Sequence, residues 1–389
     1  MIWAVRIIPP GDKVSEIKWK KWFFSLLFIF AVLTVIWFSV KGIESVNDNL
    51  RNLFFLLSFL LLSVYFLLLS IRVYYYGVCL SLFEVREKDN EETRRKWTEW
   101  ASEKLNVFAY NLFLPSEISP LKIASSQSIE ILKEQRLKLS GYNGEAFTEE
   151  QLIYELLSSV RSSLMELQKL CVFDIVFTYG NSPVSFSIFK ESWIALGFSE
   201  KCLDSCYYWN DTVEEKFDTL SHIEINRVAI ILSANVEDVE GYCSDLTEFT
   251  SILLVTHKEQ LTHNKIYSAP LRTMACKKDL TKQELTKMMT YQPDVLQSTK
   301  ILFSNMSINE TSKLSEIISA SCLPFNVEWE YETQHLDLNL GRLGDASFWL
   351  VFTLSLFISE KNNKPILLVA SVNGDYVFNV FKKFDCREH

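Results

Sequence analysis

The chain has 389 residues, 48% hydrophobic and 22% charged, which excludes a disordered polymer and leaves room for two or three structural units. A net charge of −9 excludes broad nucleic-acid binding, because neutralising phosphates needs a basic face. Glycine and proline are too scarce for a fibrous or low-complexity chain.

Two uncharged runs open the sequence, Trp22 to Val40 and Leu53 to Ile71. Each is close to the ~20 apolar residues that a helix needs to cross ~30 Å of hydrocarbon. The first starts late and lacks a small-x-small cleavage site, so it does not read as a signal peptide. Trp19, Trp22 and Trp37 flank the first run, and Tyr74, Tyr75 and Tyr76 follow the second, as headgroup-level anchors would. Arg6, Lys13, Lys18, Lys20 and Lys21 precede the first run, and Arg72, Arg86, Lys88, Arg94, Arg95 and Lys96 follow the second. The loop between them offers Lys41 and Arg51 against Glu44 and Asp48. The positive-inside rule then places both termini in the cytoplasm and the hairpin in an inner membrane. Neither run holds an ionisable Asp, Glu, Lys, Arg or His, which argues against transport.

Asp89 to Asn106 spaces Trp97, Trp100, Ala101 and Leu105 at a helical interval. Two roles fit this segment: lying on the inner leaflet, or packing its tryptophans on the domain that follows. Thr148 to Leu170 places Leu152, Leu156, Val160, Leu164 and Leu167 on one helical stripe, with Thr148 as N-cap and Gln151 at the capping-box position. Cys171 to Gly180 reads as a strand, Ser185 to Phe198 as mostly helix, and Glu214 to Asn226 as a short helix. Arg227 to Asn235 and Ser251 to Glu259 read as buried strands. Ala346 to Ser359 is an uncharged stretch of 14 residues, about 21 Å as a helix, too short to span. It reads as a core helix with Asp345 as cap. Two strands then flank Asn373-Gly374, a hairpin-turn signal. Helices alternating with apolar strands predict a layered α/β domain, and no fixed short repeat is evident.

The stretch Asn339 to Ser347, followed by a long apolar helix and a strand-turn-strand, resembles the C-terminal part of thiolase-like and ketoacyl-synthase proteins, where a Gly-His loop opens a buried helix. Arg227 to Asn235 with Ser251 to Val255 is similar to the strand pair that closes their first half. The resemblance spans residues 170–389. It implies an active-site His where Arg342 stands, a nucleophilic Cys opening the helix before the 227–235 strand, and a second His in a Gly-Thr-rich loop that this sequence lacks. The nearest thiol is Cys206. The resemblance therefore implies a non-catalytic relative.

Other chemistry is sparse. The eight cysteines are scattered, with only Cys202 and Cys206 close together, and no Cys/His set has zinc spacing. His257 and His263 lie six apart on a connection and point more to surface than to metal. Cys206 with His222 could form a nucleophile–base pair only if the fold brings them together. The acidic run 235–240 could hold a cation or simply be solvated. Arg342 could hold an anion or a partner carboxylate, or pair with Asp345. No Walker loop, dinucleotide fingerprint or nucleophile elbow occurs, and no cofactor is expected.

The expected architecture is an N-terminal two-helix transmembrane hairpin plus a layered, thiolase-like cytoplasmic α/β domain. Its divisions are 1–80 (spans about 22–40 and 53–73), 81–125 as amphipathic helix and linker, and 126–389. The expected role is a non-catalytic inner-membrane scaffold or adaptor contacting lipid and protein partners, with homo-oligomerisation open. Two-span proteins of this kind resemble accessory proteins of type VI secretion clusters. The alternatives are a membrane-bound acyl-transfer enzyme using Cys206 and His222, and a ligand-sensing membrane protein with a pocket around Arg342.

Overall fold

The computed structural model describes the chain apart from residues 1, 2, 4, 10–13, 42–47, 127–130, 141–146, 210–212, 261–265 and 386–389. His263 and Cys386 therefore lie outside the described residues. The chain forms two compact units, residues 8–96 and residues 1–7 with 97–389.

The smaller unit holds α1 (Trp19–Lys41) and most of α2 (Asp48–Ala101). Both are long and apolar enough to cross a membrane, with hydropathy windows at Trp19–Ser39 and within Arg51–Ala101. Their apolar side chains face outward, as in Phe28 and Phe59 at 69% and 74% exposure, which is costly in water and favourable in lipid. The two helices run side by side in opposite directions. Near one end the Trp22 and Tyr65 rings meet at 5.6 Å, and near the other Trp37 meets Phe54 and Phe55 at 5.8 and 5.0 Å. The Tyr65 hydroxyl donates to Trp22 O, supplying the bond a phenol needs in an apolar setting. α2 is one helix of 54 residues. Between Arg72 and Ala101 it meets no proline and only one glycine, Gly77, so no separate amphipathic helix forms.

The larger unit contains β1 (Val107–Phe113), α3 (Pro120–Ala124), α4 (Glu149–Ser159), α5 (Arg161–Leu167), β2 (Val172–Phe177), α6 (Pro183–Ala195), β3 (Leu203–Tyr208), α7 (Val213–Ser221), β4 (Arg227–Asn235) and β5 (Phe249–Thr256). It continues with β6 (Ile266–Pro270), β7 (Met274–Cys276), α8 (Thr281–Tyr291), β8 (Lys300–Ser304), α9 (Ile308–Cys322), β9 (Glu332–His335), α10 (Asp337–Leu340), α11 (Phe348–Lys361), β10 (Ile366–Val372) and β11 (Asp375–Asp385). One sheet runs β1-β5-β4-β2-β3 and the other β6-β11-β10-β8-β9, with β7 also on β11.

These are two copies of one pattern. In each copy three strands are mutually parallel (β2, β3, β4; β8, β9, β10), and the next strand returns antiparallel. That return strand then pairs antiparallel with the first strand of its copy. The helices match as well: α4 packs on α6, and α8 on α9, at equivalent chain positions.

The layers follow from side-chain alternation along the strands. Ile301 and Phe303 join an outer core with Leu285 of α8 and Ile318 of α9, whereas Leu302 joins the central core. Ile175 and Ile230 likewise face α4 and α6, while Val176 and Ile231 face inward. Because both faces of each sheet are covered, the strands read as unbroken apolar runs. The centre is filled by α11, with Phe217 and Leu220 of α7. Eleven of the 14 residues of α11 are buried, so it is apolar all round. The stretch that might have passed for a third span is the central core helix.

The division between the two compact units falls at 96/97, and Trp3 belongs with the larger one. Trp3 is 4% exposed, packs on Trp100 at 5.3 Å and donates its indole N–H to Thr273 O. Of the two roles open to the Asp89–Asn106 segment, packing prevails: Trp97 and Trp100 lie against the outer core of the second sheet.

Candidate functional site

In parallel α/β sheets, loops at the carboxyl ends of strands gather at one edge, where polar side chains escape the core. Here both sheets deliver such loops to one cleft. Thr178 follows β2, Trp209 follows β3, Ala234 lies one residue before the end of β4, and Val372 and Asn373 lie at the β10–β11 turn. Asp345, Ala346, Phe348 and Trp349 come from the start of the central helix. Together they enclose a cavity of about 240 Å³.

Asp345 is the cavity's one charged side chain among the described lining residues. Its Oδ1 accepts from Asn305 Nδ2 at 3.0 Å, and the same amide donates to Ser371 O at 2.7 Å. Asn305 sits after β8 at φ +56°, a conformation asparagine tolerates. Asp337 holds it there by accepting from the Asn305 and Met306 backbone N–H groups at 2.9 and 3.3 Å. Asp345 therefore bonds sideways to a loop and does not cap α11. Ser347 is the N-cap of that helix and makes no side-chain capping bond.

The loop that delivers Asp345 is pinned at Gly341. At φ +78°, a Cβ on this residue would stand 2.5 Å from Gln135 O and 2.6 Å from Thr247 Oγ1. Arg342 N donates to Gln135 O, and Arg342 O accepts from Thr247 N, both at 2.9 Å. The Arg342 side chain is exposed and forms no ion pair with Asp345. Asp345 follows Gly344 in the short turn that leads into the central helix.

The remaining sequence candidates are not brought together. Cys206 packs with the outer core of the first sheet, whereas His222 shares a cavity with Ser205 and Tyr207 on the other face. The sheet stands between thiol and imidazole, so they form no nucleophile–base pair. Burial also pushes the Cys206 thiol pKa up, away from thiolate. The helix before β4 is α7, and its approach, Asn210-Asp211-Thr212, lies outside the described residues and contains no cysteine. His335 is in register with Phe303 and bonds Thr311 Oγ1 of α9 at 2.7 Å, facing outward from the cleft.

Two acidic groupings are already satisfied. Glu103, Asp218 and His222 lie close enough to share a metal ion. The guanidinium of Arg272, 5% exposed, fills that role by pairing with Glu103 and with Asp218 at 2.6 Å while lying over the Trp100 ring at 4.1 Å. In the 235–240 run, Glu237 pairs with Lys138 at 2.8 Å and Glu240 accepts from Asn181 N at 3.1 Å. Among the membrane-anchor candidates, Trp19, Tyr74 and Tyr75 are exposed, while Trp22 and Trp37 contact the opposite helix and Tyr76 is half-buried.

Sequence reasoning missed Trp209 and Asn305. Both stand directly after a strand that belongs to a parallel set, a position that could have been weighed once β3 and β8 were recognised as strands.

No protein-family model matches the chain, and no curated protein sequence matches it. Solved structures similar to it include a tetronic acid condensing enzyme, 10% identical at TM-score 0.44, covering 71% of this chain and 98% of that one. Cerulenin-bound OleA of Xanthomonas campestris is 9% identical at TM-score 0.44, covering 74% and 98%. The 3-oxoacyl-[acyl-carrier-protein] synthase III of Aquifex aeolicus is 9% identical at TM-score 0.41, covering 72% and 99%. The architecture itself is a duplicated, layered α/β fold around a central buried helix, and a likeness at this level says nothing of activity.

Proposed function

We propose that this chain is a non-catalytic scaffold or adaptor of the inner membrane, with α1 and α2 spanning the bilayer, both termini cytoplasmic, and the thiolase-like unit offered to protein partners. The observation that carries this reading is the composition of the cleft. Acyl transfer through an enzyme-bound thioester needs a thiolate and an imidazole converging on one carbonyl. Among the described residues that line this cleft, none is a cysteine or histidine, and Cys206 and His222 lie elsewhere, on opposite faces of a sheet. The Asp345 carboxylate at this cleft would repel a developing oxyanion.

The partner class proposed with this reading, subunits of a secretion machine, rests only on the resemblance drawn from the sequence. Affinity purification from native membranes tests this. Recovery of membrane or secretion-machine subunits in fixed proportion supports the reading. Recovery of acyl carrier proteins with no other partner overturns it.

A further inference from the structure

The cleft cavity has a chemistry of its own. Tyr179, Trp209, Phe348 and Trp349 supply aromatic surface to its lining, and Asp345 supplies a carboxylate. No lysine or arginine is among its described lining residues. Aromatic faces attract cations through their quadrupole, and a carboxylate at the mouth adds Coulombic attraction and one further acceptor. The Trp209 ring already draws one cation, with Lys216 Nζ at 5.6 Å from its centroid. At about 240 Å³ the cavity is smaller than sites for drug-sized ligands and suits a small head group.

We infer that this cavity binds an organic ammonium group, held between the Trp209, Phe348 and Trp349 rings and the Asp345 carboxylate. Such a group can come from a lysine side chain of a partner protein or from a free amine. The inference deepens the proposed function by naming what the cleft recognises, and it rests on that reading only for the first source.

The substitution Asp345→Asn removes the charge while keeping Oδ1 as acceptor for Asn305, so the loop keeps its bond. Trp209→Leu removes one ring from a half-buried position. Full-length protein in a non-ionic detergent is titrated with tetramethylammonium, read by calorimetry and by saturation-transfer NMR, with a lysine-bearing peptide as competitor. Melting curves confirm that each variant is folded. The expected result is saturable tetramethylammonium binding that weakens about tenfold in either variant, the change expected from losing one such contact. Displacement by the peptide together with loss of co-purifying partners in Asp345→Asn assigns the site to a partner's lysine. Binding with partners retained in that variant assigns it to a free amine. Absence of saturable binding at millimolar tetramethylammonium, or binding that Asp345→Asn leaves unchanged, overturns the inference. Partners still co-purifying in that event leave the adaptor reading standing, so the two fail separately.

Discussion

Gly341 offers a sharp test of how the cleft loop is built. Alanine at this position meets two costs. At φ +78° an L side chain costs about 1–2 kcal/mol of backbone strain. Its Cβ would also stand 2.5 Å from Gln135 O and 2.6 Å from Thr247 Oγ1, well inside van der Waals contact. Gln135 O accepts from Arg342 N at 2.9 Å, and Thr247 Oγ1 donates to Leu340 O at 2.8 Å. Relieving the clash disturbs both bonds, each contributing about 1 kcal/mol. The expected loss is about 3–4 kcal/mol, or about 5–6 °C in the melting temperature for a unit of this size. Gly374 is the control. It sits at φ +86° with no atom within 4 Å of the place a Cβ would take, so Gly374→Ala meets only the backbone strain. Thermal and urea unfolding of both variants, followed by circular dichroism, measure the difference. If Gly341→Ala costs no more than Gly374→Ala, the close approach of Gln135 and Thr247 is wrong, and so is the account of how Asp345 is delivered.

Three further outcomes are expected. Phe352→Ala in the central helix removes a ring that is 1% exposed and packs on Phe348, Trp349 and Phe381, and should cost about 3–5 kcal/mol in urea unfolding. Leu61→Arg places a charge near the middle of the second apolar run, at about 2.5–3.5 kcal/mol, and should shift the chain toward the alkaline-extractable fraction of membranes. The Glu310 carboxyl is held at about 2 by the Lys278 ammonium and the Ser307 N–H and hydroxyl, against an ordinary value of 4.5. Because the folded value is depressed, the stabilisation is full above pH 4.5 and is lost as pH falls toward 2. With the side chain 38% exposed, screening keeps it below about 1 kcal/mol, and Glu310→Gln should flatten that part of the stability–pH curve.

Much of this fold is written locally. Thr148 and Gln151 form the capping box their spacing predicts. The Asn373-Gly374 turn closes β10 onto β11, with both residues at positive φ as a tight hairpin requires. The 14-residue apolar stretch is a core helix because length and flanking charge, not composition alone, separate a core helix from a span. The duplication is not legible in the residues, because it resides in strand order while the side chains diverge. The central helix of the first copy is a nine-residue segment rich in Glu and Asp, and that of the second is almost wholly apolar. The site is legible only in part. The sequence marks Asp345, but as a helix cap, whereas its carboxylate bonds sideways to Asn305. The residues alone do not show that Gly341 ends one element and Gly344 opens the next. The separation of Cys206 from His222 is hidden by an irregularity in the β2–β3 register between Phe173 and Ile175, which alters the alternation on which face-counting depends.

The larger unit is proposed to carry no acyl-transfer chemistry. Intact-mass spectrometry of the purified chain, after incubation with acyl thioesters of several chain lengths, tests it most directly. The account predicts a mass unchanged from the untreated protein. A covalent acyl adduct that forms on the native chain and disappears in Cys206→Ala would contradict it.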